Sequence, residues 1–135
     1  MINIAEIRNA FRTRIAQSGI IPVANIAWEN LAFIPANRSL WAQENYLPAV
    51  EEAATSDTDM LAGIIQISVN VPVNTSDSVA VSTGVAIGSL WNTQEIVHTD
   101  NYETSVDKTK CSFQGSLDDI WYSYIVDIEI RAFEK

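Results

Sequence analysis

The sequence predicts an α+β fold: a mostly antiparallel β-sheet with two α-helices packed on one face. Three observations predict it. Apolar residues recur at helical spacing at Ile4, Ile7, Phe11 and Ile15, and again at Ala80, Gly84, Ile87 and Trp91. Elsewhere apolar and polar residues alternate, most clearly from Ile120 to Phe133. Short polar turns separate the alternating stretches, which favours antiparallel pairing of successive strands. At 135 residues the chain suits one domain, 1–135, able to bury roughly two-thirds of its unfolded surface.

The spacing predicts a first helix over about residues 3–17, stopped by Ser18-Gly19 with Pro22 just beyond. Glu6, Arg8, Arg12 and Arg14 fall off its apolar stripe or at its edge and are expected to form a solvated face. Residues 26–30 read as a short strand, followed by a loop punctuated by Pro35, Ala36 and Asn37. Residues 39–47 read as a second strand. There Trp41, Gln43, Asn45 and Leu47 point one way, and Leu40, Ala42, Glu44 and Tyr46 the other. Residues 51–58 are small and polar and read as a loop.

A third strand starts at Met60, with Leu61, Ile65, Ile67, Val69 and Val71 on one face, and Pro72 ends its ladder. Asn74 to Asp77 supply oxygen-bearing side chains suited to a helix N-terminus, so a second helix is expected from there to about Asn92. Gly84 and Gly88 inside it each cost about 1 kcal/mol against alanine, so close packing on the sheet is expected there. Residues 93–99 read as a short strand and 100–107 as a polar turn. In residues 108–115, Thr109, Cys111 and Phe113 alternate with polar neighbours and are expected to face inward. After a turn at 115–119, Tyr122, Tyr124, Val126, Ile128 and Ile130 should face the core, with Ser123, Asp127, Glu129 and Arg131 outward.

Composition excludes several functions. A formal net charge of −9 argues against specific nucleic-acid binding, which draws on Lys and Arg, and against anionic membranes. The longest weakly polar run, SVAVSTGVAIGSLW, is short of the roughly 20 residues that span a bilayer. The opening MINIAEIRNAFRTRIAQ lacks the apolar core of a signal peptide. Cys111, alone, cannot form an internal disulfide and reads as a small core residue. His98, the sole imidazole, reads as a strand-end residue. The glycines form no phosphate-binding loop. No catalytic, cofactor-binding or metal-ligating residue is therefore expected.

The aromatic stretch IAWENLAFIPANRSLWAQENYLPAV remains. Trp28, Phe33, Trp41 and Tyr46 suit three roles: a ligand pocket, core packing, or anchors of a protein interface. The 31–35 loop is apolar, and a neighbouring subunit would explain it. Leu31, Phe33, Ile34, Pro35, Trp41, Gln43 and Tyr46 are the candidate subunit or partner interface.

Four features together resemble phage tail terminator, or tail completion, proteins of long-tailed phages. They are the opening helix IAEIRNAFRTRIA; IAWEN with its aromatic-proline loop and a strand ending YLPAVEE; a strand ending ISVNVPV that leads through NTSDSVA into a helix ending LWN; and the closing strand WYSYIVDIEIRAF. The resemblance implies a virion structural protein without catalysis or cofactor. It implies a homo-oligomer, a hexameric ring on the head-proximal end of the tail tube, which stops polymerisation and meets the tail-tube protein and head-completion or neck proteins. Assembly would occur in the host cytoplasm. Six copies at −9 each would carry −54, a charge that suits a channel through which DNA passes without sticking. A sheet edge would add pairing across subunits or to the tube protein. A head-tail connector or neck adaptor is the alternative, followed by a small domain that holds an apolar ligand.

Overall fold

The computed structural model describes residues 2–49 and 60–135. The first helix, α1, spans Ile4–Ser18. The Asn3 side chain accepts from Ala5 N at 3.1 Å, and Gly19 closes the helix in the left-handed conformation that glycine adopts without strain. A 3-10 turn at Val23–Asn25 leads into β1, Ile26–Trp28. Strands β2 (Trp41–Pro48) and β3 (Met60–Pro72) follow, then helix α2, Ser78–Gly88. The chain closes with β4 (Ile96–His98), β5 (Tyr102–Ser116) and β6 (Trp121–Glu134).

The six strands form one sheet in the order β1-β2-β3-β6-β5-β4. Every neighbouring pair is antiparallel except β1 and β2, which run parallel. That corrects the expectation of antiparallel pairing between successive strands. The loop of residues 29–40 is long enough to carry the chain back to the start of β1, which a tight hairpin cannot do.

Both helices cover the same face of the sheet. Ile7, Phe11 and Ile15 of α1 and Ala80 and Ile87 of α2 pack on Ile65, Ile67, Val69, Val71, Val126, Ile128 and Ile130. Phe11 meets Trp91, just after α2, with ring centroids 5.1 Å apart. The glycine expectation holds at Gly84, where an added Cβ would overlap Cδ1 of the Tyr124 ring. At Gly88 the same atom would reach only ordinary contact with Val126, at 3.4 Å.

Several expectations are corrected. Residues 102–107 are strand, and the turn is confined to the residues before Tyr102. Tyr102, Thr104 and Val106 are buried, so this stretch builds core despite its polar composition. β5 carries two bulges, between Val106 and Lys108 and between Cys111 and Phe113. Each extra residue reverses the alternation, so Phe113 pairs with Ile125 on the face away from the helices. Cys111 keeps the helix-side register, opposite Val126, but is exposed, in an open cleft between β5 and α2. Ser123 and Asp127 are buried although they face away from the helices. Ser123 Oγ donates to Asn70 Oδ1 at 2.5 Å, and Gln66 Nε2 donates to Asp127 at 3.0 Å, so both find partners on β3. α2 starts at Ser78 without a side-chain cap from Asp77 and ends at Gly88, short of Asn92. β4 is shorter than residues 93–99. The 51–58 loop lies outside the described residues.

Candidate interaction surface

Alternation along β2 sends Trp41, Gln43 and Asn45 to the face the helices leave open, and Ala42, Glu44 and Tyr46 to the helix side. The 29–40 loop folds over the open side. Its shape is fixed from within. Asn30 and Asn37 take the left-handed turns that asparagine tolerates. Arg38 donates to Ile34 O at 3.1 Å and to Asn25 Oδ1, and its guanidinium lies 4.9 Å from the Phe33 ring centre. Phe33 stacks on Trp41 at 5.3 Å, and Trp41 meets Trp121 edge-on at 5.6 Å.

This aromatic row joins two apolar loops at one end of the sheet. One presents Leu31, 66% exposed, and Ile34, 74% exposed. The other is the β5–β6 turn, with Leu117 57% and Ile120 63% exposed. Asp118 Oδ1 accepts from the Ile120 and Trp121 N–H groups at 2.7 Å each, and Val73 N donates to Ile120 O at 2.8 Å. That turn is therefore as firmly built as the first loop. A shallow cleft of about 340 Å³ runs beside the first loop, lined by Trp28, Leu31, Phe33, Pro35, Trp41 and Gln43 among others. The indole N–H of Trp41 is buried there without an acceptor among the described residues.

The structure thus brings together six of the seven candidate residues: Leu31, Phe33, Ile34, Pro35, Trp41 and Gln43. Tyr46 is separate. It lies on the helix side, where the Arg8 guanidinium is 5.7 Å from its ring centre. The 117–120 turn belongs to the same end and was missed. Its sequence signal is LDDI, two large aliphatic residues flanking a polar turn.

Behind this surface lies a charge cluster that sequence reasoning also missed. Glu44 is fully buried. Arg8 Nη2 donates to its two oxygens at 2.7 and 2.8 Å, and Arg12 Nη2 donates to Oε1 at 2.8 Å. Glu29 stands 3.5 Å from Arg8 and accepts from Tyr46 N at 3.1 Å, which ties the root of the 29–40 loop to β2. Burial alone would raise the Glu44 pKa, but hydrogen bonds from Arg12 and Arg8 outweigh it and hold the carboxyl below its usual value. Arg14 likewise bonds Glu95 at 2.5 Å and Leu90 O at 3.0 Å. The arginines of α1 are therefore engaged, which corrects the solvated-face expectation. The available signal was Arg8 and Arg12, four apart beside the buried stripe, and a carboxylate between Ala42 and Tyr46 on the helix-facing side of β2.

Sheet, helices and a built apolar end present a surface suited to contact with another protein. The family model for phage tail terminator protein matches residues 6–129, and the chain belongs to that family. The family makes it a structural component of the virion tail, in contact with other tail or virion proteins. A solved structure matches over 100% of this chain and 97% of that chain, with a TM-score of 0.71 at 17% identity, a likeness that shows the fold alone. No curated protein matches the chain. Among the described residues no helix is long and apolar enough to cross a membrane.

Proposed function

We propose that this chain, with residues 1–135 acting as one unit, closes as a hexameric ring on the head-proximal end of the tail tube. The ring stops tube polymerisation and offers its outer side to head-completion or neck proteins, after assembly in the host cytoplasm. The observation that carries this reading is the family match over residues 6–129. The apolar end formed by Leu31, Phe33, Ile34 and Trp41 supports it as the contact surface toward a subunit or the tube. Preordered loops lose little entropy on docking.

The test adds purified protein to polymerising tail-tube protein and measures tube length by electron microscopy. The parent should cap tubes at a defined length. Ile34→Asp, at an exposed position, should keep its unfolding free energy within about 0.5 kcal/mol yet need at least tenfold more protein to cap. Phe33→Asp should also fold and cap poorly. Unfolding of Phe33→Asp would place that ring in the core, and unaltered capping by Ile34→Asp would remove the loop from the interface.

A further inference from the structure

The 29–40 loop presents Leu31 and Ile34, yet its strand attachment to the sheet is slight. β1 pairs with β2 only through Ile26, Ala27 and Trp28, and Asn30 then turns left-handed, out of the ladder. Resting on the reading of this loop as a docking surface, we propose that Glu29 is its positioning residue. Anchored between the Tyr46 amide and Arg8, Glu29 sets where the apolar tip stands, and so the strength of docking, without touching the partner.

Away from its root the loop is held by Phe33 on Trp41 and by Arg38 on Asn25. At the root the holding group is Glu29. Its Oε1 accepts from Tyr46 N at 3.1 Å, where β2 has run past the end of β1 and among the described residues no strand lies alongside to take this N–H. Its Oε2 lies 3.5 Å from Arg8 Nη1. Arg8 is itself fixed. Its Nε and Nη2 donate to Glu44, which is fully buried, and its guanidinium lies 5.7 Å from the centre of the Tyr46 ring. Arg12, which also donates to Glu44, lies 5.6 Å from the ring centre of Trp28, the residue before Glu29. The ionic group shared by α1 and β2 therefore reaches the first residue of the loop. Tyr46, set apart from the apolar tip, contributes to it through its backbone N–H.

The hydrogen bond carries more of this anchoring than the ion pair. A carboxylate that accepts from a backbone N–H makes a charge-assisted bond, roughly twice as strong as a neutral one. The pair with Arg8, with the Glu29 side chain 34% exposed, is partly screened by water. Global stability does not hang on Glu29, because Glu44 keeps its bonds to Arg8 and Arg12 without it. What Glu29 governs is the loop. With the Tyr46 N–H released to water the root frays, and the loop must be ordered again each time it docks.

Amide hydrogen exchange and tube capping, both in the full chain, test this together. The Leu31, Arg38 and Tyr46 amides are each hydrogen-bonded in the parent. Glu29→Ala should speed exchange at these three about tenfold, while β3 and β6 exchange, and the denaturant midpoint, stay parental. The same variant should need about fivefold more protein to cap tubes. Glu29→Gln keeps an oxygen for the Tyr46 N–H, so it should recover most of the protection and most of the capping. In the Ile34→Asp background, where the tip contact is already lost, Glu29→Ala should weaken capping by less than about twofold more, because both changes act through one loop. Parental exchange in Glu29→Ala, parental capping by a loosened loop, no recovery in Glu29→Gln, or the full further loss in the Ile34→Asp background overturns the positioning role while leaving docking by the loop intact. A fall in the unfolding midpoint shared by Glu29→Ala and Glu29→Gln places Glu29 in the core and overturns it as well. Parental capping by Ile34→Asp removes the loop from the interface, and this role with it.

Discussion

Glu44→Gln lowers the unfolding free energy by about 3 kcal/mol, with the midpoint of denaturant unfolding displaced and its slope unchanged. The substitution keeps shape and removes charge. Arg8, with a side chain only 13% exposed, then loses the carboxylate that accepts three of its hydrogen bonds. Removing one member of a buried ionic group costs about 3–5 kcal/mol. The low end applies because Glu29 remains near Arg8, and Arg12 lies close enough to solvent to rehydrate. Replacing the cluster together, with Arg8→Met, Arg12→Met and Glu44→Leu, should restore most of the loss, because no stranded charge remains. If Glu44→Gln unfolds at the parental midpoint, the cluster contributes nothing to stability.

The same group sets a pH dependence. The folded pKa of Glu44 lies below its ordinary value of 4.5. Its contribution is therefore complete above about pH 4.5 and disappears as pH falls through the lower folded value. Plotted against pH, the stability difference between parent and Glu44→Gln should be flat near neutrality and shrink in acid. A difference that grows in acid would contradict the assignment.

Gly84→Ala destabilises the fold by about 1–3 kcal/mol despite the better helix propensity of alanine. The propensity gain is at most about 1 kcal/mol. Against it stands a Cβ placed into the Cδ1–Cε1 edge of the buried Tyr124 ring, so either the ring or the helix must shift. Gly88→Ala is the control. Its Cβ meets Val126 at ordinary contact distance, so propensity decides and stability should rise by about 0.5 kcal/mol. Thermal unfolding of the two variants should shift in opposite directions, and a gain at Gly84 would mean that the helix does not pack this closely.

The parts of the fold that sequence reading recovers are those with a single strong period. The stripe Ile7, Phe11, Ile15 and, in the closing strand, Tyr124, Val126, Ile128 and Ile130 are buried as their periods assign. Reading fails where a tertiary neighbour overrides local character. Residues 102–107 are polar, yet Thr104 is fully buried, because β6 and β4 flank the strand. A bulge leaves no mark in composition, so the reversal at Phe113 was invisible. Parallel pairing of β1 with β2 depends on the path of a loop whose left-handed asparagines, Asn30 and Asn37, say only that it turns. At the candidate surface, apolar residues in a proline-bearing loop were legible as a group. The partner turn at Leu117 and Ile120 was not, since the Trp41–Trp121 contact that connects it to that loop joins distant parts of the sequence.

The two irregularities in β5 also govern what happens to surplus copies. A long flat border of unsatisfied amides would let chains add without limit, and fibres would follow. Here any strand laid along residues 107–116 loses step twice, so hydrogen bonding cannot continue over its length. A border broken in this way disfavours runaway stacking of one copy on the next.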